Sequence, residues 1–140
     1  TPINDPHVRA SFHNMGIDTN RTSLIFSLIE GISFGLYDNY QALSKTGIRL
    51  NNLFVIGGGS KNEYWIKLLA SILDRDLAIT EASDSMAAFG AARLAFLGFN
   101  NLKHESVLKL PNVKKIIKKD PNLNSILADR FTKWKKHYIK

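Results

Sequence analysis

The stretch Val55-Ile56-Gly57-Gly58-Gly59-Ser60-Lys61-Asn62 constrains this chain more than any other. The apolar run from Leu53 to Ile56 has the length of a short buried strand, and three glycines follow it directly. A periodic segment then begins, with Tyr64, Trp65, Leu68, Leu69, Ile72 and Leu73 on one helical face. Strand, glycine turn and helix in that order are how an α/β fold brings bare backbone N–H groups up to a phosphate. Glycine has no Cβ, so the backbone can take positive φ and approach a ligand closely. The spacing is not GxGxxG, and no Gly-Lys-Ser/Thr closes the run, so neither a dinucleotide fingerprint nor a P-loop is present. A glycine turn that only feeds a helix stays open as the alternative.

The flanking sequence predicts an α/β unit. Residues 1–18 read as irregular, with turn signals at Pro2, Asn4-Asp5-Pro6 and Gly16. A long helix is expected from Asn20, its cap, with Leu24, Ile25, Leu28, Ile29, Ile32, Leu36, Tyr40 and Leu43 on its inward side and Lys45-Thr46-Gly47 as its stop. Gly31 and Gly35 on that helix suggest close approach by another element, or tolerated small residues. Strand 53–56 and helix 62–73 follow, then a second short strand over 76–80. A third helix, capped by Ser83 or Asp84 and ended by Gly98, carries the nearly side-chain-free surface Ala87, Ala88, Gly90, Ala91, Ala92 and Ala95, suited to packing near the glycine turn. Helix and strand alternate as in parallel sheets, yet two strands leave open edges. More strands or a partner chain are therefore expected. The start at Thr1-Pro2, without methionine, suggests a fragment or a processed chain.

Composition narrows the classes. With 140 residues and 44% hydrophobic residues, the chain can bury one modest core. There is no cysteine, and His7, His13, His104 and His137 are scattered, so no metal site is expected. No run approaches a membrane span and no leader is seen, which makes the cytoplasm the expected location. No membrane partner is preferred over a minor reading of the basic tail as a contact for an anionic membrane or partner. Formal net charge is +7, but residues 103–140 hold eleven Lys/Arg against three Asp/Glu while residues 1–102 are nearly neutral. Two regions follow, 1–102 and a basic helical tail at 103–140 that packs on it. Lys114-Lys115, Lys118-Lys119 and Lys135-Lys136 alternate with Ile116-Ile117, Trp134 and Tyr138, as on the solvated face of an amphipathic helix. Helix is expected near 113–118, a break at Asp120-Pro121, and a terminal helix from Asn124 whose stripe Leu123, Leu127, Phe131, Trp134, Tyr138 docks on the body. No nucleic acid is the preferred reading. A nucleic-acid surface remains the competing account of the charge.

Assembled, these residues resemble the C-terminal half of the FGGY carbohydrate kinases, nearest their xylulose-phosphorylating branch. Thr1-Pro2-Ile3-Asn4-Asp5-Pro6-His7-Val8-Arg9-Ala10 is similar to the family's threonine–proline and asparagine–aspartate–proline segment. Ala10 to Glu30 resembles its second signature, with Asn14 where glycine is usual and Ser23 where a polar or acidic residue is usual. Gly57-Gly58-Gly59-Ser60-Lys61-Asn62-Glu63-Tyr64-Trp65 is similar to its nucleotide-binding glycine run, and Phe89-Gly90-Ala91-Ala92-Arg93-Leu94-Ala95 to its last glycine–alanine helix.

The resemblance implies an actin-like, ribonuclease H-like ATPase domain, here partial, with helices around a short parallel strand pair and its first strands missing. It implies ATP with Mg2+ as cofactors and γ-phosphoryl transfer to a sugar hydroxyl, carbon 5 if the sugar is D-xylulose. Gly57, Gly58, Gly59, Ser60, Asn62 and Glu63 are then the nucleotide-binding candidates, with Trp65 either flanking the purine or packing in the core. Asp5 is a substrate-cleft candidate, unless it only makes an Asx turn, and Arg9 leans towards a structural role. The general base belongs to an absent N-terminal domain, so no catalytic residue is assigned and the piece alone should be inactive. Self-association through the incomplete sheet is expected. A freestanding nucleotide-binding module and a basic nucleic-acid binder are the alternatives.

Overall fold

The computed structural model describes residues 5–81, 83–101 and 103–138. Thr1-Pro2, Ile3 and Asn4 of the opening motif, the regional boundary at Leu102 and the side chain of Tyr138 lie outside the described residues.

Residues 5–18 run irregularly and exposed, as their turn residues predict. Asn20 then caps helix α1 (Arg21–Ser44), its Oδ1 accepting the Ser23 N–H at 3.0 Å. The helix stops at Lys45, and Gly47 follows at φ +83°. The expected inward stripe is not the buried one. Ile25, Leu28, Ile32 and Leu36 are 44–51% exposed, whereas Glu30, Ser33, Phe34 and Asp38 are buried. The reversal has a physical cause in the C-terminal helix α5 (Pro121–Tyr138), which brings Arg130 to Glu30 and Lys135 to Asp38. A buried carboxylate is tolerable only when a cation meets it. Trp134 Nε1 lies 3.7 Å from where a Cβ on Gly31 would sit, an ordinary contact, while the space at Gly35 is open.

Strand β1 (Phe54–Val55) lies parallel to β2 (Leu77–Thr80), Phe54 opposite Ala78 and Val55 opposite Ile79. Helix α2 (Glu63–Leu73) is the crossover between them, ended by Asp74 at φ +53°. The parallel pair is not the whole sheet. Residues 113–117, expected as amphipathic helix, form strand β3 (Val113–Ile117), antiparallel to β2 with Leu77 opposite Ile117. The order is β1-β2-β3, a mixed sheet centred on β2. Val113, Ile116 and Ile117 are β-branched, the segment is short, and the unpaired side of β2 offers it a ladder.

Two cores flank α2. Ile66, Leu69 and Ala70 press on Leu77, Ile79 and Ile117 of the sheet. On the helix's other side Ile72 meets Phe34 of α1 and Leu127 and Phe131 of α5. Each fully buried side chain of this size contributes about 1.5–3 kcal/mol. Ser71 fixes the entry of α5: its Oγ accepts the Asp120 N–H at 3.0 Å and its carbonyl accepts from Asn124 at 2.9 Å. Asp120-Pro121, expected as a break, is thus where α5 begins, with proline at the first helical position, where no intrahelical N–H is needed. In the docking stripe Leu127 and Phe131 are buried, Trp134 is half-buried and Leu123 is exposed.

Helix α3 (Met86–Asn100) runs through Gly98 and ends at Asn101, φ +50°. Neither Ser83 nor Asp84 caps it; the cap position is Ser85, without a side-chain cap bond. It buries none of its residues, so its small-residue surface makes no tight packing with the glycine turn among the described residues. A single-turn helix, α4 (His104–Val107), follows.

Part of the basic tail pairs with the body. Lys115 pairs with Glu63 at 2.6 Å, Lys118 with Asp76 at 2.7 Å and Lys119 with Asp74 at 2.7 Å.

Candidate functional site

The glycine turn sits at the carboxyl end of β1, beside the turn that leaves the carboxyl end of β2. In open α/β sheets that side is where ligands bind. Gly57 takes φ +87° and ψ 177°, a conformation essentially confined to glycine. A short 3-10 turn, Gly58–Lys61, then leads into α2. Among the described residues, the N–H groups of Gly58 and Gly59 meet no acceptor, as expected for the first groups of a helical turn. Gly59 is glycine for a packing reason. A Cβ there would lie 2.8 Å from Trp65 Cζ3.

The other candidates divide by what already holds them. Ser60 is buried, and its Oγ donates to the Gly57 carbonyl at 2.7 Å. Asn62 caps α2, its Oδ1 accepting the Trp65 N–H at 3.1 Å. The carboxylate of Glu63 is drawn towards β3 by Lys115. The Trp65 ring covers Gly59 and its Nε1 donates to Ser33 Oγ at 2.9 Å, joining the turn to α1. Asp5 is exposed and accepts the His7 N–H at 2.8 Å, an Asx turn. Arg9 donates to the Pro6 and Val8 carbonyls within the same segment. Neither residue is bonded to the glycine turn among the described contacts.

Ser83 and Asp84 touch this turn, which sequence reasoning missed by treating them as helix caps. The Gly57 N–H donates to the Ser83 carbonyl at 2.6 Å, the Ser60 and Ser83 hydroxyls lie 2.6 Å apart, and Lys61 pairs with Asp84 at 2.8 Å. The hydrogen bond from Lys61 holds the Asp84 carboxyl below its ordinary range, and Asp84 raises Lys61 in return. The signal was a serine and an aspartate directly after a strand paired with the glycine strand.

Cavities of about 650 and 570 Å3 lie among the described residues. The first lies between α3 and residues 109–112, with Met86, Phe89, Arg93 and Leu110 in its wall; the second runs over Phe54, Ala78 and Ile116. Neither is lined by the glycine turn. The turn nevertheless carries the candidate chemistry, because anion binding by backbone needs open N–H groups rather than a deep apolar wall. Among the described residues, no group of three or more His, Asp or Glu could hold a metal ion, and no helix is long and apolar enough to cross a membrane.

Solved structures define the class. The xyloylose kinase from Brucella ovis superposes with a TM-score of 0.85 at 31% identity, over 99% of this chain and 28% of that one. A xylulose kinase from Rhodospirillum rubrum shares the fold, TM-score 0.75 at 20% identity, over 96% of this chain and 28% of its own. The chain is thus an α/β domain of the actin-like ATPase fold found in sugar kinases. Residues 1–99 match the C-terminal domain of the FGGY family of carbohydrate kinases, and the chain belongs to that family. Xylulose kinase from Staphylococcus xylosus is 32% identical over 99% of this chain and 29% of its own length. The Escherichia coli K12 xylulose kinase is 32% identical over 71% of this chain and 21% of its own. The chain therefore spans less than a third of the length of these relatives.

Proposed function

We propose that this chain is the nucleotide-binding part of an ATP-dependent carbohydrate kinase that converts D-xylulose to D-xylulose 5-phosphate. The observation that carries the reading is the glycine turn, with Gly57 at φ +87° and two open N–H groups, in a chain of the FGGY family. Open backbone donors suit an anionic phosphate, so the residues present fit ATP. Mg2+ fits differently. Among the described residues no group of three or more acidic or histidine side chains would hold it, so Mg2+ would arrive with the nucleotide's phosphates and would supply charge neutralisation there.

The chain's own residues then bind and orient. Gly58 and Gly59 donate to phosphate oxygens; Gly57, Ser60 and Asn62 hold the turn's shape; Glu63 is positioned by Lys115 at the edge of the nucleotide site. Asp5, exposed in the opening segment, is the candidate on the sugar side. The general base lies in the N-terminal domain, and this chain alone does not turn over sugar. Residues 1–102 are the nucleotide-binding region and 103–140 a brace, with the whole enzyme in the cytoplasm. The open edge of β1 and the exposed face of α1 favour self-association of the isolated chain.

Calorimetry with Mg-ATP is the test, first on this chain and then on a polypeptide completed with the N-terminal domain. Saturable binding, with ATP- and xylulose-dependent phosphorylation only in the completed enzyme, supports the reading. Binding without any sugar dependence would leave a freestanding nucleotide module. Salt-sensitive binding of single-stranded or duplex nucleic acid in place of ATP would favour the basic-surface account. Asp5→Asn should raise KM for the sugar and leave ATP affinity unchanged. Sedimentation of the isolated chain tests self-association, which a strict monomer would rule out.

A further inference from the structure

The turn after β2 closes a ring of hydrogen bonds around Gly57. Ser60 Oγ spends its one proton on the Gly57 carbonyl, at 2.7 Å. In the 2.6 Å contact between the two hydroxyls, Ser83 must therefore be the donor. The Ser83 carbonyl in turn accepts the Gly57 N–H at 2.6 Å. Both polar groups of Gly57 are thus tied, one directly to Ser83 and one through Ser60, which is buried. Linked hydroxyls of this kind polarise one another and hold geometry better than isolated bonds. Ser83 spends nothing on the helix it precedes, because the cap position of α3 is Ser85 and carries no side-chain cap bond. Lys61–Asp84, at 2.8 Å and exposed on both sides, is an outer clasp between the same two turns.

We propose that Ser83 is a positioning residue for nucleotide binding: through Ser60 it holds Gly57 at positive φ and so keeps the Gly58 and Gly59 N–H groups in register for phosphate. This rests on the nucleotide reading above. Gly57 in its open conformation has many competing states, so a hydroxyl that narrows them lowers the ordering cost of binding.

The experiment compares Ser83→Ala and Ser83→Thr in the full polypeptide that carries these residues. Alanine removes the hydroxyl donor and keeps the backbone bond to Gly57; threonine keeps both. ATP affinity by calorimetry should fall about 3- to 10-fold for alanine, the loss of one ordinary hydrogen bond, and return to within about twofold for threonine. KM for the sugar should not move. Amide exchange at Gly57, whose N–H is bonded to the Ser83 carbonyl, measured without nucleotide, should quicken in the alanine variant only. Wild-type ATP affinity in Ser83→Ala, or equal losses in both variants, overturns the proposal. If the wild-type polypeptide binds no ATP, the nucleotide reading and this role for Ser83 both fail. Faster exchange in Ser83→Ala would then still establish the clamp itself, and unchanged exchange would remove that as well.

Discussion

Helices α2 and α3 are both rich in apolar residues and both follow a strand of the same sheet, yet one is buried and the other is not. In α2 the apolar residues fall on two faces, and each face has a partner: the sheet takes Ile66, Leu69 and Ala70, while α1 and α5 take Ile72. In α3, Phe89, Leu94, Phe96 and Phe99 point around the cylinder and stay 50–88% exposed. A helix that is apolar all round belongs in an interior. The difference teaches that α2's surroundings are complete within the described residues and α3's are not. The same division runs along α1, whose Glu30 and Asp38 face is answered by α5 while Ile25, Leu28 and Ile32 are not answered.

That contrast can be broken by mutation. Ile66→Ala should cost about 2–5 kcal/mol in chemical denaturation, since Ile66 is 2% exposed between α2 and the sheet. Gly57→Ala should cost about 1–3 kcal/mol, because φ +87° strains any residue with a Cβ. The measurement is the same, with amide exchange locating the damage at the turn. Lys135→Met should cost about 1–2 kcal/mol by leaving Asp38, which is 6% exposed, without its cation. Phe99→Ser in α3 should change stability by no more than about 0.5 kcal/mol. A loss there as large as at Ile66 would mean that α3 is packed in solution and the comparison is false.

The smallest effect is a pH slope. Burial pushes the Glu30 carboxyl above its ordinary value of 4.5, with Arg130 opposing it. A carboxyl raised on folding binds its proton more tightly in the folded chain. Its contribution is therefore fully present below the unfolded value and is lost as pH climbs through the folded one. Glu30→Gln should remove that part of the decline as pH rises above 4.5, read from urea midpoints across the range. Asp76, lowered by its bond from Lys118, works in the other direction: its contribution is present above 3.8 and is lost as pH falls through its folded value.

Much of the fold was legible. The Asn20 cap and the strand–glycine–helix order depend on contacts within a few residues, and the stripe of Leu127, Phe131 and Trp134 on helical spacing, both of which local pattern reports directly. The site was legible as a turn. Its supports were not, because Ser83 meets Gly57 only when β1 and β2 lie side by side, and 113–117 becomes a strand only when β2 offers its free edge. Lysines between isoleucines suit a helix face and a strand equally; the tie is broken by a ladder that the segment does not itself contain.

The sequence by itself determined the family, the glycine turn and where α1 and α2 begin, since those follow from residue identity and near-neighbour sterics. Only the tertiary structure decided which face of α1 turns inward, because that choice depends on Arg130 and Lys135 arriving about a hundred residues later to neutralise carboxylates that could not otherwise be buried.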